Sequence, residues 1–347
     1  MLNFCTLFDS NYLTRGLAMY QSLAATGASF HLYVFAFDDA CYTYLRNKNY
    51  PNLTPVSLAE LEDEQLLAIK PTRSIAEYCW TCTPSTILYC IKNYNLPSCT
   101  YVDADLFFYQ NPQLLIDEMG NHSVLISEHR YTPEYDQSAT SGIYCVQFLC
   151  FKNDEAGLTV LSWWRNRCIE WCYARFEEGK FGDQKYLDDW TTRFKGVYVT
   201  RFEGEGLAPW NIQQYEVAEI NNRVVVTNRK TKQQFPAIYF HFHGLKFHTN
   251  DKVSFCTYLY DLDKPVKQYF YFPYVRQLQA IYKKLQQEGM TVNSNGARQP
   301  APAKIKIAFL FGLQVLKTLF IRRPNMLKLK NFNFSRHYHY YRLSEID

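Results

Sequence analysis

Cys99-Thr100-Tyr101-Val102-Asp103-Ala104-Asp105-Leu106-Phe107-Phe108-Tyr109 is the stretch whose reading decides the fold. Its β-branched and aromatic residues have the composition of a buried strand, yet two carboxylates stand in it at i and i+2. An ionised carboxylate is expensive to bury unless it is paired or bound to a metal. The pair is therefore expected where the strand leaves the sheet. Two readings are open there. The oxygen ligands hold a hard divalent cation, which in turn grips a diphosphate, or one Asp caps the next turn while the other faces solvent.

The surrounding chain reads as alternating strands and helices. Phe4 to Phe8 is an apolar strand closed by Asp9-Ser10-Asn11, and a helix follows from Thr14 with Leu17, Tyr20 and Ala24 on one face, ending near Gly27. His31 to Phe37 is a second strand, closed by Asp38-Asp39. Strand, helix, strand at this length is a βαβ unit, so a mostly parallel α/β sheet flanked by helices is expected, with ligands at the carboxyl ends of its strands. Thr83-Pro84 reads as a helix start, as does Asn111-Pro112 before a helix that stops at Gly120. Ser123 to Ser127 and Ser141 to Phe151 read as strands. Asn153 or Asp154 opens a long helix whose Leu158, Leu161, Trp164, Cys168, Trp171 and Cys172 form a core stripe. Phe181-Gly182-Asp183-Gln184 precedes a short helix, where Asp183 reads as a cap or a site residue. Ala237 to Gly244 is a late strand with His241 and His243 on one face, suited to metal or phosphate.

Composition narrows the function. The chain has 347 residues, 47% of them hydrophobic, which suffices for a large α/β domain with additions. Aromatic residues reach 17%, with 28 Tyr and 25 Phe, a supply of rigid surface on which sugar rings stack and which also fills cores. A net charge of +4 is too small to make nucleic acid the main partner. The eleven cysteines have no framework spacing, and Met1 to Asp9 has no signal-peptide pattern, so reduced thiols and a cytoplasmic location are expected. Cys79-Trp80-Thr81-Cys82 reads as buried structural thiols.

Taken in order, the strand and turn with Asp9 and Tyr12, Asp-x-Asp at a strand end, Gly-Asp-Gln before a helix and His-x-x-Gly on a late strand resemble nucleotide-diphospho-sugar transferases of the GT-A fold. The likeness is to glycosyltransferase family 8 and the bacterial glycosyltransferases related to it, over about residues 1 to 250. The resemblance implies a GT-A (Rossmann-like) domain over 1–262, with a nucleotide-binding part at about 1–110 and an acceptor part at about 111–262. It implies Mn2+ (or Mg2+) held by Asp103, Asp105 and His241, and a nucleotide-diphosphate sugar as donor, UDP-sugar favoured. It implies that Asp183 and Gln184 face the anomeric carbon and the acceptor, and that Thr6, Asp9 and Tyr12 hold base and ribose. Gly244 and Lys246 belong to the His-x-x-Gly-x-x-Lys motif, although Phe247 stands where Lys is usual. His243 is a rival or second ligand. Thr140-Ser141-Gly142 stands in place of Asn-x-Gly, and Arg73 is the nearest replacement for a basic residue missing around Thr83-Pro84-Ser85. Retention, and a glycan or lipid-linked acceptor as in cell-surface polysaccharide or lipopolysaccharide synthesis, are expectations from the same resemblance.

Two other classes compete. An Asp-x-Asp phosphatase usually carries the motif on its first strand with Thr or Val two residues after the second Asp, where this chain has Phe107. A non-catalytic nucleotide-sugar or glycan-binding module needs the aromatic surface but not both carboxylates and a histidine. Residues 263–347 read as a helical, basic extension: a helix over Tyr269–Leu285, a linker at 293–302, then an apolar segment from Lys304 too short and interrupted to span a membrane. From Lys304 to Arg342 there are nine Lys or Arg and no Asp or Glu. That segment suits either the anionic inner face of a membrane or docking on the catalytic domain.

Overall fold

The structure, a computed structural model, describes residues 1–257, 259–320 and 339–346. Its centre is a seven-stranded sheet in the order β3-β2-β1-β4-β7-β6-β8. The strands are β1 (Leu2–Phe8), β2 (Phe30–Ala36), β3 (Leu53–Ser57), β4 (Ser98–Val102), β6 (Val124–Glu128), β7 (Tyr144–Lys152) and β8 (Val197–Val199). Strands β3, β2, β1 and β4 run parallel to one another, β7 is antiparallel to both β4 and β6, and β8 is parallel to β6. The sheet is thus mostly parallel, as the βαβ reading requires.

Alternation along β1 divides the core into two layers. Phe4 and Phe8 point to the face covered by the helix Leu13–Ala25 and by Phe272–Gln287, while Cys5 and Leu7 point to the face covered by Ile75–Asn93 and Glu155–Glu170. Burial of both faces explains why the strands are near-continuous apolar runs. Smaller ladders sit around this frame. β5 (Leu106–Phe108) pairs antiparallel with β12 (Tyr239–His241), β9 (Tyr215–Ile220), β10 (Arg223–Asn228) and β11 (Gln234–Pro236) form a meander, and β13 (Lys246–His248), β14 (Lys252–Ser254) and β15 (Tyr340–Arg342) form a third. Residues 264–287 share the first core layer through Val266, Phe270, Tyr274, Val275, Leu278, Ile281 and Leu285. Arg276 Nε also donates to the Ile346 carbonyl.

Several boundaries differ from the sequence reading. Thr83-Pro84 does not start a helix. The helix runs Ile75–Asn93 with Pro84 inside it, and its start is set by a capping box between Ser74 and Glu77. The missing proline N–H leaves Trp80's carbonyl without its usual donor, while buried Cys82, Ile87, Cys90 and Ile91 hold the helix against the sheet. The Asn111-Pro112 helix begins one place later, at Gln113, whose N–H is taken by the Asn111 side chain. Ser141 does not begin β7: Ser138–Ser141 is a helical turn, and Gly142 at φ 106° breaks it from the strand. The long helix ends at Glu170, so Trp171 and Cys172 lie beyond it. The C-terminal helices are Lys264–Val266 and Phe272–Gln287, joined by a π-helical turn, and Lys304–Phe320. No helix among the described residues is long and apolar enough to cross a membrane.

Candidate functional site

β4 ends at Val102, and the two carboxylates follow at once, in the turn that leads into β5. The turn is anchored from the neighbouring strand: Asp103 N donates to the Gln147 carbonyl of β7 (3.1 Å). Asp103 Oδ1 accepts from the Tyr101 hydroxyl (2.9 Å), and Asp105 Oδ2 from the Tyr12 hydroxyl (3.3 Å). Pairing of β12 with β5 sets His241 opposite Leu106, and Phe242 N closes onto the Asp105 carbonyl (3.1 Å). That register aims His241 at the acidic turn. His241 Nε2 lies 3.2 Å from Asp105 Oδ1 and 3.7 Å from Asp103 Oδ2, and one donor atom from each residue falls within 4.8 Å of the others.

The charges are unevenly shared. Burial would raise Asp105, but the charge and hydrogen bond of His241, with smaller help from His243 and Arg15, hold its carboxyl down at about 2. Burial pushes Asp103 up to about 6; the neighbouring Asp105 adds to this and His241 opposes it. Burial disfavours the charged imidazole of His241, yet Asp105 and Asp103 hold it well above its ordinary value. Without a cation, a proton on His241 Nε2 thus offsets part of the negative charge of the cluster. Two carboxylates and one imidazole whose Nε2 points between them are a fitting donor set for Mn2+ or another first-row dication.

Asp183 is buried and is not a cap: the 3-10 turn Lys185–Asp189 has Gln184 before it and no side-chain cap. Burial, with the nearby charge of Asp103, raises the Asp183 carboxyl to about 8, against hydrogen bonds from its own backbone, Thr83 and the Gln184 backbone. Trp164 Nε1 donates to the Asp183 carbonyl (2.9 Å), so the core stripe of the preceding helix fixes its position. Gln184 Nε2 donates to the Ser141 carbonyl, Lys185 Nζ to the Ser138 carbonyl (2.7 Å), and Asp188 Oδ1 accepts from Ile143 N (2.7 Å). This pins the Ser138–Gly142 turn, the counterpart of the Thr140-Ser141-Gly142 motif, against the segment that carries Asp183.

The remaining sequence-predicted residues divide. Asp9 caps its own turn, accepting from Tyr12 N (3.2 Å) and Asn11 Nδ2 (3.0 Å). Asp38 locks that turn by accepting from Ser10 N, Ser10 Oγ and Cys41 N. Thr6 is wholly buried within β1, on the face of the Leu13–Ala25 helix. Gly244, at φ 79°, makes the turn after His241, and Lys246 is exposed on β13. His243 is exposed, its ring 5.7 Å from that of His241, and it stands outside the three-residue cluster. Arg73 is not brought to the site. Its guanidinium donates to the Ile169 carbonyl and the Tyr173 hydroxyl and stacks on the Tyr173 ring at 3.9 Å.

Three residues at the site escaped the sequence reading. Tyr101 bonds Asp103. Gln147 bonds His241 Nδ1 through Oε1 (2.7 Å). Arg15, buried, lies 4.3 Å over the Tyr12 ring and donates to the carbonyls of Leu245 (3.1 Å) and Asn295 (3.1 Å). A glutamine in the middle of the apolar run Tyr144–Phe151 was the available signal, since a buried amide needs a partner.

No protein-family model matches the chain. The uncharacterised protein YfnD of Bacillus subtilis (strain 168) is 29% identical over 291 residues, 82% of this chain and 91% of that protein. The uncharacterised protein YfnF of the same organism is 32% identical over 252 residues, 70% of this chain and 81% of that protein. Among solved structures, the galactosyltransferase LgtC, crystallised with donor and acceptor sugar analogues, superimposes with a TM-score of 0.51 at 12% identity, covering 83% of this chain and 100% of that one. The fold is the GT-A fold of such glycosyltransferases.

Proposed function

The chain belongs to the same family as YfnF of Bacillus subtilis, and from that premise and the GT-A fold we propose that it is a metal-dependent glycosyltransferase, moving a sugar from a nucleotide-diphosphate donor to a glycan or lipid-linked acceptor. The observation that carries the reading is the convergence of Asp103 and Asp105, from the turn after β4, with His241 of β12, at the carboxyl end of the sheet where open α/β folds take ligands. A phosphatase does not need the histidine, and a binding module does not need a strongly perturbed carboxylic acid at Asp183.

Asp103, Asp105 and His241 would hold the cation, and one imidazole beside two carboxylates suits Mn2+ better than Mg2+. When bound, such a cation supplies Lewis-acid neutralisation of the diphosphate leaving group. Tyr12 and Tyr101 hold the carboxylates in place through their hydroxyls. Asp183 and Gln184 line the acceptor side, where a carboxylate or amide stabilises positive charge growing on the sugar. Asp9 and Tyr12 sit on the turn proposed to meet base and ribose. UDP-sugar as donor and retention of configuration follow the family 8 resemblance.

An anionic membrane surface is the partner proposed for the C-terminal region. On the helix Lys304–Phe320, Ile305, Phe309, Leu313 and Leu316 are 82%, 65%, 39% and 50% exposed at helical spacing, in a region with no acidic residue before Arg342. Deleting everything from Lys304 would also remove β15, which pairs with β14, so Ile305→Ser with Phe309→Ser is the cleaner test. These substitutions are expected to release the protein from phosphatidylglycerol vesicles while donor hydrolysis continues; unchanged sedimentation with the vesicles would remove the proposal.

The function itself is tested by calorimetry of UDP- and GDP-sugars with Mn2+, on the wild type and Asp105→Ala. Binding that requires Mn2+ and is lost in the variant supports the reading. Binding that survives the substitution unchanged refutes it.

A further inference from the structure

Gln147 meets two of the three cluster residues at once. Its main-chain carbonyl accepts from Asp103 N (3.1 Å), fixing where the acidic turn leaves β4, and its side-chain Oε1 takes the Nδ1 proton of His241 (2.7 Å). The residue is fully buried. It lies in an irregular part of β7: Leu125 pairs with Cys150, but Ser127, two residues on, pairs with Cys145. β7 therefore carries extra residues here, and the bulge turns Gln147 toward His241; such bulges re-aim side chains beside active sites. Space for the amide comes from Gly206, where a Cβ would stand 2.9 Å from Gln147 Nε2. Gln147 Nε2 itself has no partner among the described residues, so the bond to His241 is the one hydrogen bond the side chain makes there.

We propose that Gln147 is the positioning residue of the cation site: it holds His241 by a proton on Nδ1, so that Nε2 is the nitrogen directed between Asp103 and Asp105 and the one that gives up its proton to a cation. The inference rests on the metal reading above and deepens it. An imidazole ligand that swivels, or that carries its single proton on Nε2, cannot coordinate, and the partner at its other nitrogen orients the ring. Metal-binding histidines often use a carboxylate for this purpose. A neutral amide keeps the same geometry while adding no charge to a cluster that already contains two carboxylates.

The test is Mn2+ binding, read by the electron paramagnetic resonance signal of free Mn2+, on wild type, Gln147→Leu, Gln147→Glu and Asp105→Ala, with melting curves in EDTA as the folding control. Gln147→Leu is expected to weaken Mn2+ by about 10- to 100-fold, the usual loss when an outer-shell partner is removed. Gln147→Glu, which keeps an acceptor for Nδ1 and makes the imidazole a better donor, is expected to bind at least as tightly as wild type. In steady-state assays the leucine variant should need more Mn2+ for half-maximal rate, with kcat at saturating Mn2+ little changed. A folded Gln147→Leu that binds like wild type while Asp105→Ala does not would overturn the inference and leave the metal reading standing. If the leucine variant does not fold, Gln147→Glu decides alone, and weaker binding than wild type overturns the inference. Mn2+ binding undiminished in Asp105→Ala would instead overturn the metal reading.

Discussion

Asp183→Asn should stabilise the metal-free protein, and by more as pH rises. In the fold the carboxyl titrates at about 8 because burial and the charge of Asp103 disfavour its ionised form. In the unfolded chain an aspartate titrates near 3.9. The folded-state value is raised, so the unfolded state loses its proton first and stability falls as pH climbs from about 4 to 8. At about 1.4 kcal/mol per unit, the penalty is roughly 1.5 kcal/mol at pH 5 and about 5 kcal/mol at pH 8, a ceiling that relaxation and entering water reduce. Asparagine keeps an acceptor for the Thr83 hydroxyl and the Gln184 N–H and carries no charge for Asp103 to oppose. The variant should therefore gain up to about 3.5 kcal/mol on wild type between pH 5 and pH 8, measured by urea denaturation in EDTA at both values. The same substitution should lower sugar transfer, since a residue kept at a stability penalty is characteristic of a working site. An advantage of Asp183→Asn that is the same at both pH values would refute the electrostatic account.

Other outcomes follow from the same geometry. Mn2+ uptake at pH 7 should release about one proton, because the cation takes the place of the proton on His241 Nε2; calorimetry in buffers of different ionisation enthalpy measures it. Arg130→Met should cost about 3–5 kcal/mol, since Glu205 is fully buried, paired to Arg130 at 2.8 Å, and is left uncompensated. Adding Glu205→Gln should recover much of that in denaturant titrations. Gly142→Ala should cost about 1–3 kcal/mol, since φ is 106° and the new Cβ would stand 3.2 Å from Asp188 Oδ1; a fall in melting temperature together with weaker acceptor binding would report it.

The fold was legible where local pattern and tertiary demand coincide. β1, the helix after it and β2 follow from apolar runs punctuated by Asp9 and Asp38, both of which cap the elements they precede. Asp103 and Asp105 stand out because carboxylates in an apolar strand need a partner, whereas His241 is joined to them only through the ordered motifs shared with glycosyltransferase family 8. Pro84 misled because its dipeptide signal is local, whereas packing of both helix faces lets the helix run through it; Ser74-Ile75-Ala76-Glu77 was the better start signal. Gln147 and Arg15 were not legible as site residues. Their roles depend on a bulge in β7 and on contacts between segments more than 90 residues apart, which no short window of sequence contains.

Arg15 and Thr14 carry a consequence for how the protein is made. Thr14 N and Oγ1 both donate to the Ser294 carbonyl, and Arg15 to Asn295, so the Leu13–Ala25 helix is fastened by residues synthesised 280 positions later. Closing so long a loop is slow, and the half of the cleft built first must wait for it. A ribosome-bound chain that stops short of Asn295 should therefore leave Tyr12, and through it Asp105, without their support. Binding competence would then arrive only near the end of translation.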